Sequence, residues 1–199
     1  MIKYVKNIDD ISQYQCGKLP ANAQKLDTPA TMDEMMKKSL PIAVILCTVM
    51  FLTLFIKTFT NKVLAIFPPA VLGGVLIGFL LLIVHEWLHA IAYPSVAEVS
   101  IGKLKGKMVW VALASFPLKR SRFIIMCLLP FLLGIVPWVL FILSASQNTV
   151  FNGLMFGMAC MGMVSPYPDV YNVITVLKQA KNTDNIMFWG DDIYRISSC

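Results

Sequence analysis

The only two histidines of the chain are separated by three residues, in a pattern that suits a catalytic metal. They lie in the sequence His85-Glu86-Trp87-Leu88-His89. Residues four apart on a helix share one face, so both imidazoles can reach the same ion. Zinc accepts imidazole nitrogen, and a catalytic zinc site takes three protein ligands and keeps one position for water. The spacing therefore predicts His85 and His89 as zinc ligands.

The glutamate between the histidines suits a different role. Glu86 lies one residue round the helix from His85, where its carboxylate can take a proton from water without binding the metal. The alternative is a pair of interfacial histidines beside an unrelated glutamate. That arrangement would leave three polar side chains near hydrocarbon without partners, which is costly. We therefore favour Glu86 as the catalytic general base.

A third ligand has to come from another part of the chain. Glu86 and Asp169 are the only acidic residues associated with a long apolar segment. Asp169 follows Pro166 and Pro168, which cannot both lie in an unbroken helix, so the backbone is expected to open there. Open backbone at membrane depth is tolerated where it is buried in protein or lines a wet cavity. We predict Asp169 as the third metal ligand; the alternative is that it caps a helix beginning at Val170.

Long apolar segments carry these residues. The 199-residue chain is 57% apolar and 14% charged, whereas about a quarter of the residues are charged in a typical soluble domain. A helix needs about 20 apolar residues to cross a bilayer. We therefore predict an all-α polytopic membrane protein with about four transmembrane helices, at residues 39–58, 66–93, 122–146 and 148–177.

The polar segments complete the predicted organisation. A small cytoplasmic β-hairpin is expected at residues 95–118, between spans two and three, with its turn at Lys105-Gly106-Lys107. A short interfacial helix is expected to start at Thr31, and one short strand is expected within residues 186–196. The predicted divisions are a cytoplasmic or interfacial N-terminal segment, a membrane domain and a cytoplasmic tail, at residues 1–38, 39–178 and 179–199.

The distances along the spans place the predicted ligands at a similar depth. From Pro69 to His85 there are 16 residues, or about 24 Å of helix, and from Val150 to Asp169 there are 19, or about 28 Å. Both spans run in the same direction in a four-span topology. The predicted metal site therefore lies near one face of the membrane.

The distribution of lysine and arginine predicts which face this is. Of the 17 positive residues, all but Lys57 and Lys62 fall on one side of the four-span topology. Positive residues are enriched on the cytoplasmic side, so both termini and the metal site are expected there. Because topology explains the net charge of +6, we expect the lipid bilayer as a partner and no nucleic acid.

Glycines recur on two of the predicted spans. Small residues allow the backbones of membrane helices to approach closely. We therefore predict that spans two and four pack against each other at their glycines, which are Gly73, Gly74, Gly78, Gly153, Gly157 and Gly162.

The motif, the hairpin and a late Asp169-x-x-Asn172 sequence together resemble the site-2-protease-like integral-membrane zinc metalloproteases. The resemblance covers residues 40–178 and is closest to a small bacterial group of zincin peptidases of unknown function. It implies zinc as cofactor, a location in the bacterial plasma membrane, and the site residues His85, His89 and Asp169 as ligands with Glu86 as general base.

The predicted function is zinc-dependent intramembrane or interfacial proteolysis of a membrane-embedded or membrane-associated peptide or protein. Asn172, one turn after Asp169, is a candidate for stabilising the oxyanion or orienting Asp169. The hairpin offers an edge to which an extended substrate could add as a strand. The alternative function is that of a non-catalytic zinc-binding membrane scaffold, a chaperone-like protein or an immunity protein, against which the intact Glu86 argues.

Overall fold

The structure is a computed structural model that describes residues 1–15, 17–106 and 109–197. The chain folds into two units, which are described separately below. The first unit comprises Met1–Lys38, Glu86–Leu129 and Pro168–Cys199, and the second comprises Ser39–His85 and Pro130–Tyr167.

Helices account for all the long apolar segments. Within the described residues the α-helices are α1 Met32–Asn61, α2 Pro68–Leu80, α3 Leu82–Ile91, α4 Arg120–Leu128, α5 Leu132–Leu143, α6 Thr149–Val164 and α7 Tyr167–Gln179. Joined across short breaks, they form four stretches in the described chain that are long and apolar enough to cross a membrane: Met32–Asn61, Pro68–Ile91, Arg120–Leu143 and Thr149–Gln179. These stretches indicate a membrane protein.

The first of these stretches begins earlier than predicted. α1 runs without interruption from Met32 through Pro41, so the short helix expected ahead of the first span and the span itself are one helix. The N–H of Glu34 donates to Thr31 Oγ1 at 3.2 Å, and Glu34 Oε2 accepts from the N–H of Ala30 at 3.0 Å. These bonds satisfy backbone donors at the start of the helix.

The second unit is built on close contacts of α6 with α2 and α5. A Cβ atom on Gly74 would overlap the backbone oxygen of Leu154, and a Cβ atom on Gly157 would overlap that of Val71. The predicted glycine contacts between spans two and four are therefore confirmed, except that Gly162 packs against Gly134 of α5. Gly134 of α5 makes an equally close contact with α6, which the sequence analysis did not predict. The buried core of this unit is Met50, Phe141, Phe156, Ala159 and Met163.

The prediction of an all-α fold is wrong, because two β-sheets form in the first unit. The strands in the described part of the chain are β1 Ile2–Ile8, β2 Ala23–Lys25, β3 Val99–Leu104, β4 Trp110–Leu113, β5 Leu118–Lys119, β6 Asn185–Trp189 and β7 Asp192–Ile196. One sheet has the order β1-β3-β4, and the other has the order β2-β7-β6-β5. β1 and β3 are parallel, and all other pairs are antiparallel.

The predicted hairpin between spans two and three is confirmed. β3 pairs with β4 from Ser100 opposite Leu113 to Lys103 opposite Trp110. The predicted turn includes Lys107, which lies outside the described residues together with Met108. Because β1 occupies the other side of β3, β4 is the outer strand of the hairpin in this sheet.

The C-terminal segment forms a second hairpin where the sequence analysis predicted one strand. β6 and β7 pair antiparallel, with Trp189 opposite Asp192, and Gly190 and Asp191 make the turn. Gly190 has a φ of 57°, a conformation that glycine adopts readily. A two-residue Gly-Asp turn between apolar runs is a hairpin signal that the sequence contained.

The core of the first unit connects both sheets to the helices that carry the candidate site. Its members come from the last turn of α3, from α4 and α7, and from strands of both sheets. They include Ala90, Ile101, Phe123, Met126, Val176 and Ile186. Side chains on these helices are therefore held by a packed apolar core.

Candidate metal centre

α3 presents both histidines on its buried face. The helix follows a short break at Leu81, and the N–H of His85 donates to the carbonyl of Leu81 at 2.9 Å. His85 and His89 are each 7% exposed. Glu86 is half-buried and Trp87 is exposed, so the helix presents its two sides to different surroundings. The i, i+4 geometry predicted for the histidines is present.

The other part of the site lies at the start of α7. The helix breaks at Pro166, as predicted, and resumes at Tyr167. Pro168 lies in the first turn of α7, where its missing N–H removes no helical hydrogen bond. Asp169 lies in the same turn. The alternative in which Asp169 caps a helix beginning at Val170 is wrong, because the helix has already begun.

The structure brings His85, His89 and Asp169 together. One ligand atom from each side chain lies within 4.8 Å of the other two. His89 Nε2 and Asp169 Oδ2 are 3.5 Å apart. Two ligand atoms bound tetrahedrally to one zinc ion at about 2.1 Å would lie about 3.4 Å apart. This group could hold a metal ion.

A backbone carbonyl determines which nitrogen of His89 faces Asp169. His89 Nδ1 lies 2.8 Å from the carbonyl oxygen of Met126, in a buried contact. A carbonyl can only accept, so Nδ1 carries a hydrogen, and Nε2 is the nitrogen that faces Asp169 and could bind an ion there. Metal-bound histidines commonly donate their other ring N–H to a carbonyl in this way. The donor set therefore fits zinc.

α4 fixes the end of α3 at a second point. Arg122 Nε donates to the carbonyl oxygen of Ala92 at 2.7 Å, just beyond the end of α3. The neighbouring Tyr93 is buried, and burial raises the pKa of its hydroxyl above the ordinary value. The bond from Arg122 to the Ala92 carbonyl and the bond from His89 to the Met126 carbonyl hold the last turn of α3 against α4.

Two predicted site residues lie on the same helices as the three ligands. Glu86 is adjacent to His85 on α3, and Asn172 is 7% exposed on α7, three residues after Asp169. Their roles as general base and as an orienting or oxyanion-stabilising residue stay predictions. The sequence analysis missed the carbonyl of Met126, because a backbone acceptor has no signature in residue type.

Comparison with known families shows the family to which the chain belongs. Residues 78–183, more than half of the chain, match the model of a family described as "Putative zincin peptidase". The match includes both histidines, Glu86 and Asp169. The comparison with curated proteins gives no match, and neither does the comparison with solved structures. The chain therefore belongs to the family described as putative zincin peptidases.

Proposed function

We propose that the protein is a zinc-dependent peptidase that cleaves a membrane-embedded or membrane-associated peptide or protein. The observation that carries this proposal is the approach of His85, His89 and Asp169 to within 4.8 Å of one another. Among the described residues, this group offers three ligand side chains to one ion. Two imidazoles and one carboxylate form the kind of set that leaves a position for water in catalytic zinc sites.

The chain's own residues divide the chemistry between them. His85, His89 and Asp169 would hold the ion, which in such sites acts as a Lewis acid on a peptide carbonyl and makes water nucleophilic near neutral pH. The carboxylate of Glu86 would take a proton from the attacking water and pass it to the leaving nitrogen. Asn172 would orient Asp169 or stabilise the oxyanion.

The location of the ligands supports cleavage within or at the surface of a membrane. His85 and His89 lie near the end of the apolar stretch Pro68–Ile91, and Asp169 lies within Thr149–Gln179. The distribution of lysine and arginine favours the cytoplasmic face for this site and for both termini. In these respects the proposal follows the resemblance to site-2 proteases.

The substrate would have to present an extended segment, because the carbonyls of a helical segment are already hydrogen-bonded. β4 is the outer strand of the three-stranded sheet, and its outer side has no strand partner among the described residues. An extended peptide could add to this edge through backbone hydrogen bonds. The other side of the hairpin, at β3, is not available to a peptide because β3 pairs there with β1.

The experiment that tests the proposal compares Glu86→Gln with the matched variant Glu98→Gln. Both remove one carboxylate, but Glu98 is exposed and pairs with Lys3, whose hydrogen bond lowers the pKa of Glu98. Each purified protein is incubated in lipid vesicles with peptides that carry an apolar segment followed by an extended one. Cleavage is measured by mass spectrometry and zinc by elemental analysis.

We expect Glu86→Gln to retain zinc and to lose cleavage by about 10²–10⁴-fold, the usual contribution of a general base. Glu98→Gln is expected to cleave at the wild-type rate. Unchanged cleavage by Glu86→Gln would show that the general-base assignment is wrong. Wild-type protein that binds zinc and peptides but cleaves none of them would favour the non-catalytic scaffold.

A further inference from the structure

The carbonyl that binds His89 belongs to a helix, where carbonyls normally have partners. Met126 lies in α4, and the chain remains helical beyond it through the 3₁₀ turn Leu129–Phe131. At Leu129, φ is −58° and ψ is −39°, and its N–H donates to the carbonyl of Ile125. In an α-helix the carbonyl of residue i accepts from the N–H of residue i+4. For Met126, that residue is number 130.

Residue 130 is a proline, which has no N–H to donate. Pro130 is fully buried. The helical donor for the Met126 carbonyl is therefore absent, and a buried carbonyl without a donor is costly. His89 Nδ1 supplies a hydrogen to this same oxygen at 2.8 Å. The carbonyl oxygen of Met126, which lacks its helical donor, is therefore the same atom that accepts the hydrogen bond from His89.

We propose that Pro130 is a positioning residue for the metal site. By removing the helical N–H, it leaves the Met126 carbonyl available to His89 Nδ1–H. That bond holds the imidazole in the orientation in which Nε2 faces Asp169. The inference rests on the proposed zinc site, and it assigns a function to a residue that touches neither metal nor substrate.

Restoring an N–H at position 130 tests this inference. In Pro130→Ala, the new N–H competes with His89 for the Met126 carbonyl. The matched control is Pro137→Ala, because Pro137 is also buried and lies inside α5, away from the carbonyl of Met126. A third protein carries lactic acid at position 130, which has the methyl side chain of alanine but an ester oxygen in place of the N–H.

The first measurement is made on metal-free protein. The chain has two histidines, so ¹⁵N labelling of imidazoles gives two ring systems, which the His85→Ala variant assigns. We expect the Nδ1–H of His89 to be hydrogen-bonded and slow to exchange its hydrogen with water in the wild type, in Pro137→Ala and in the ester protein. In Pro130→Ala this exchange should be faster, because the Met126 carbonyl then has a helical donor.

The second measurement is zinc affinity by competition with a chelator. Loss of an outer hydrogen-bond partner of a metal ligand typically costs 10–100-fold in affinity, and we expect this loss for Pro130→Ala. The ester protein and Pro137→Ala should bind zinc like the wild type. A wild-type rate of Nδ1–H exchange and wild-type zinc affinity in Pro130→Ala would overturn the proposal, and so would an equal loss in the ester protein.

If Pro130→Ala does not fold, the ester protein decides by itself. Wild-type Nδ1–H exchange and zinc affinity in that protein support the proposal, and loss of either overturns it. The exchange is measured without metal, so this outcome is separate from the proposed function. Failure of the wild type to bind zinc would refute the peptidase proposal and leave the exchange result readable.

Discussion

At the residue scale, both ring nitrogens of His89 have defined neighbours. Nδ1 donates to the carbonyl of Met126 at 2.8 Å, and Nε2 lies 3.5 Å from Asp169 Oδ2. Asp169 is in the first turn of α7, where negative charge is favourable next to the helix N-terminus. The carboxylate supplies the charged member of the ligand set, and its loss should affect zinc more than the loss of an outer partner does.

Asp169→Asn tests the contribution of this charge. Asparagine retains the shape of the side chain but is neutral and binds zinc weakly. We expect zinc affinity to fall by more than the roughly 10–100-fold that loss of an outer partner costs, with cleavage lost in parallel. Asp191→Asn, in the exposed turn between β6 and β7, is the matched control. Equal zinc affinity in the two variants would exclude Asp169 as a ligand.

The side chains of the site were predictable because their residue types are scarce. The chain has two histidines, and few acids lie near an apolar segment, so spacing and depth were enough to select three ligands. The supporting contacts were not predictable. Every residue has a carbonyl, and nothing in the sequence around Met126 shows that this one meets His89.

At the element scale, Lys57 of α1 binds the end of α5. The sequence analysis used Lys57 only as a charge on the side opposite the termini, and the structure places it inside α1, where it is 9% exposed. Its Nζ donates to the carbonyl of Phe141, to that of Ser144 at 2.8 Å and to Ser144 Oγ at 3.2 Å. A cation is favourable where the last carbonyls of a helix lack helical partners.

Replacement of Lys57 by methionine should therefore destabilise the second unit. Methionine retains most of the aliphatic side chain, but it removes the donor to the Ser144 carbonyl and leaves the carbonyl of Phe141 with only the Ser144 hydroxyl. We expect a loss of about 1–3 kcal/mol in the free energy of unfolding, measured by denaturant titration in detergent micelles. Lys62→Met, at an exposed lysine, should have little effect. Equal stability of the two variants would contradict the proposed contact.

Two adjacent glycines of α2 allow a controlled test of helix packing. A Cβ atom on Gly74 would overlap the backbone oxygen of Leu154, whereas one on Gly73 would lie 3.3 Å from the flexible Cδ2 of Leu154. Gly74→Ala should lower the free energy of unfolding by about 1–3 kcal/mol, the usual cost of overpacking. Gly73→Ala should be nearly neutral. The prediction is wrong if Gly73→Ala is the more destabilised in thermal unfolding.

The predictability of the elements depends on how regular their patterns are. The helices and the β3–β4 hairpin have clear apolar runs and alternation. β1 does not, because its apolar residues Ile2, Val5 and Ile8 recur every third residue. A register shift between Val5 and Asn7 interrupts the two-residue period of the strand. Because of this bulge, a search for alternating apolar and polar residues does not detect β1.

At the scale of the whole molecule, apolar side chains are exposed on all four long helical stretches. Phe59, Leu76, Leu143 and Val150 are among the large apolar residues with more than half of their surface exposed. Extensive exposed apolar surface is unusual for a protein in water. It suits helices whose outer surfaces contact lipid.

A four-span topology requires both termini to lie on the same side of the membrane. Reporter proteins fused to each end of the chain should both be cytoplasmic, because most lysine and arginine residues fall on that side. A reporter inserted after Lys62, between α1 and α2, should lie on the opposite side. Termini on opposite sides would contradict the four-span topology, and both termini outside would contradict the orientation.

The central claim is that His85, His89 and Asp169 hold one catalytic zinc ion. X-ray absorption at the zinc edge, on protein purified without added zinc, tests it most directly. We predict one zinc ion per chain, with two imidazoles among its ligands and only nitrogen and oxygen neighbours, at about 2.0–2.2 Å. A sulfur neighbour at about 2.3 Å, fewer than two imidazoles, or no bound zinc would contradict the account.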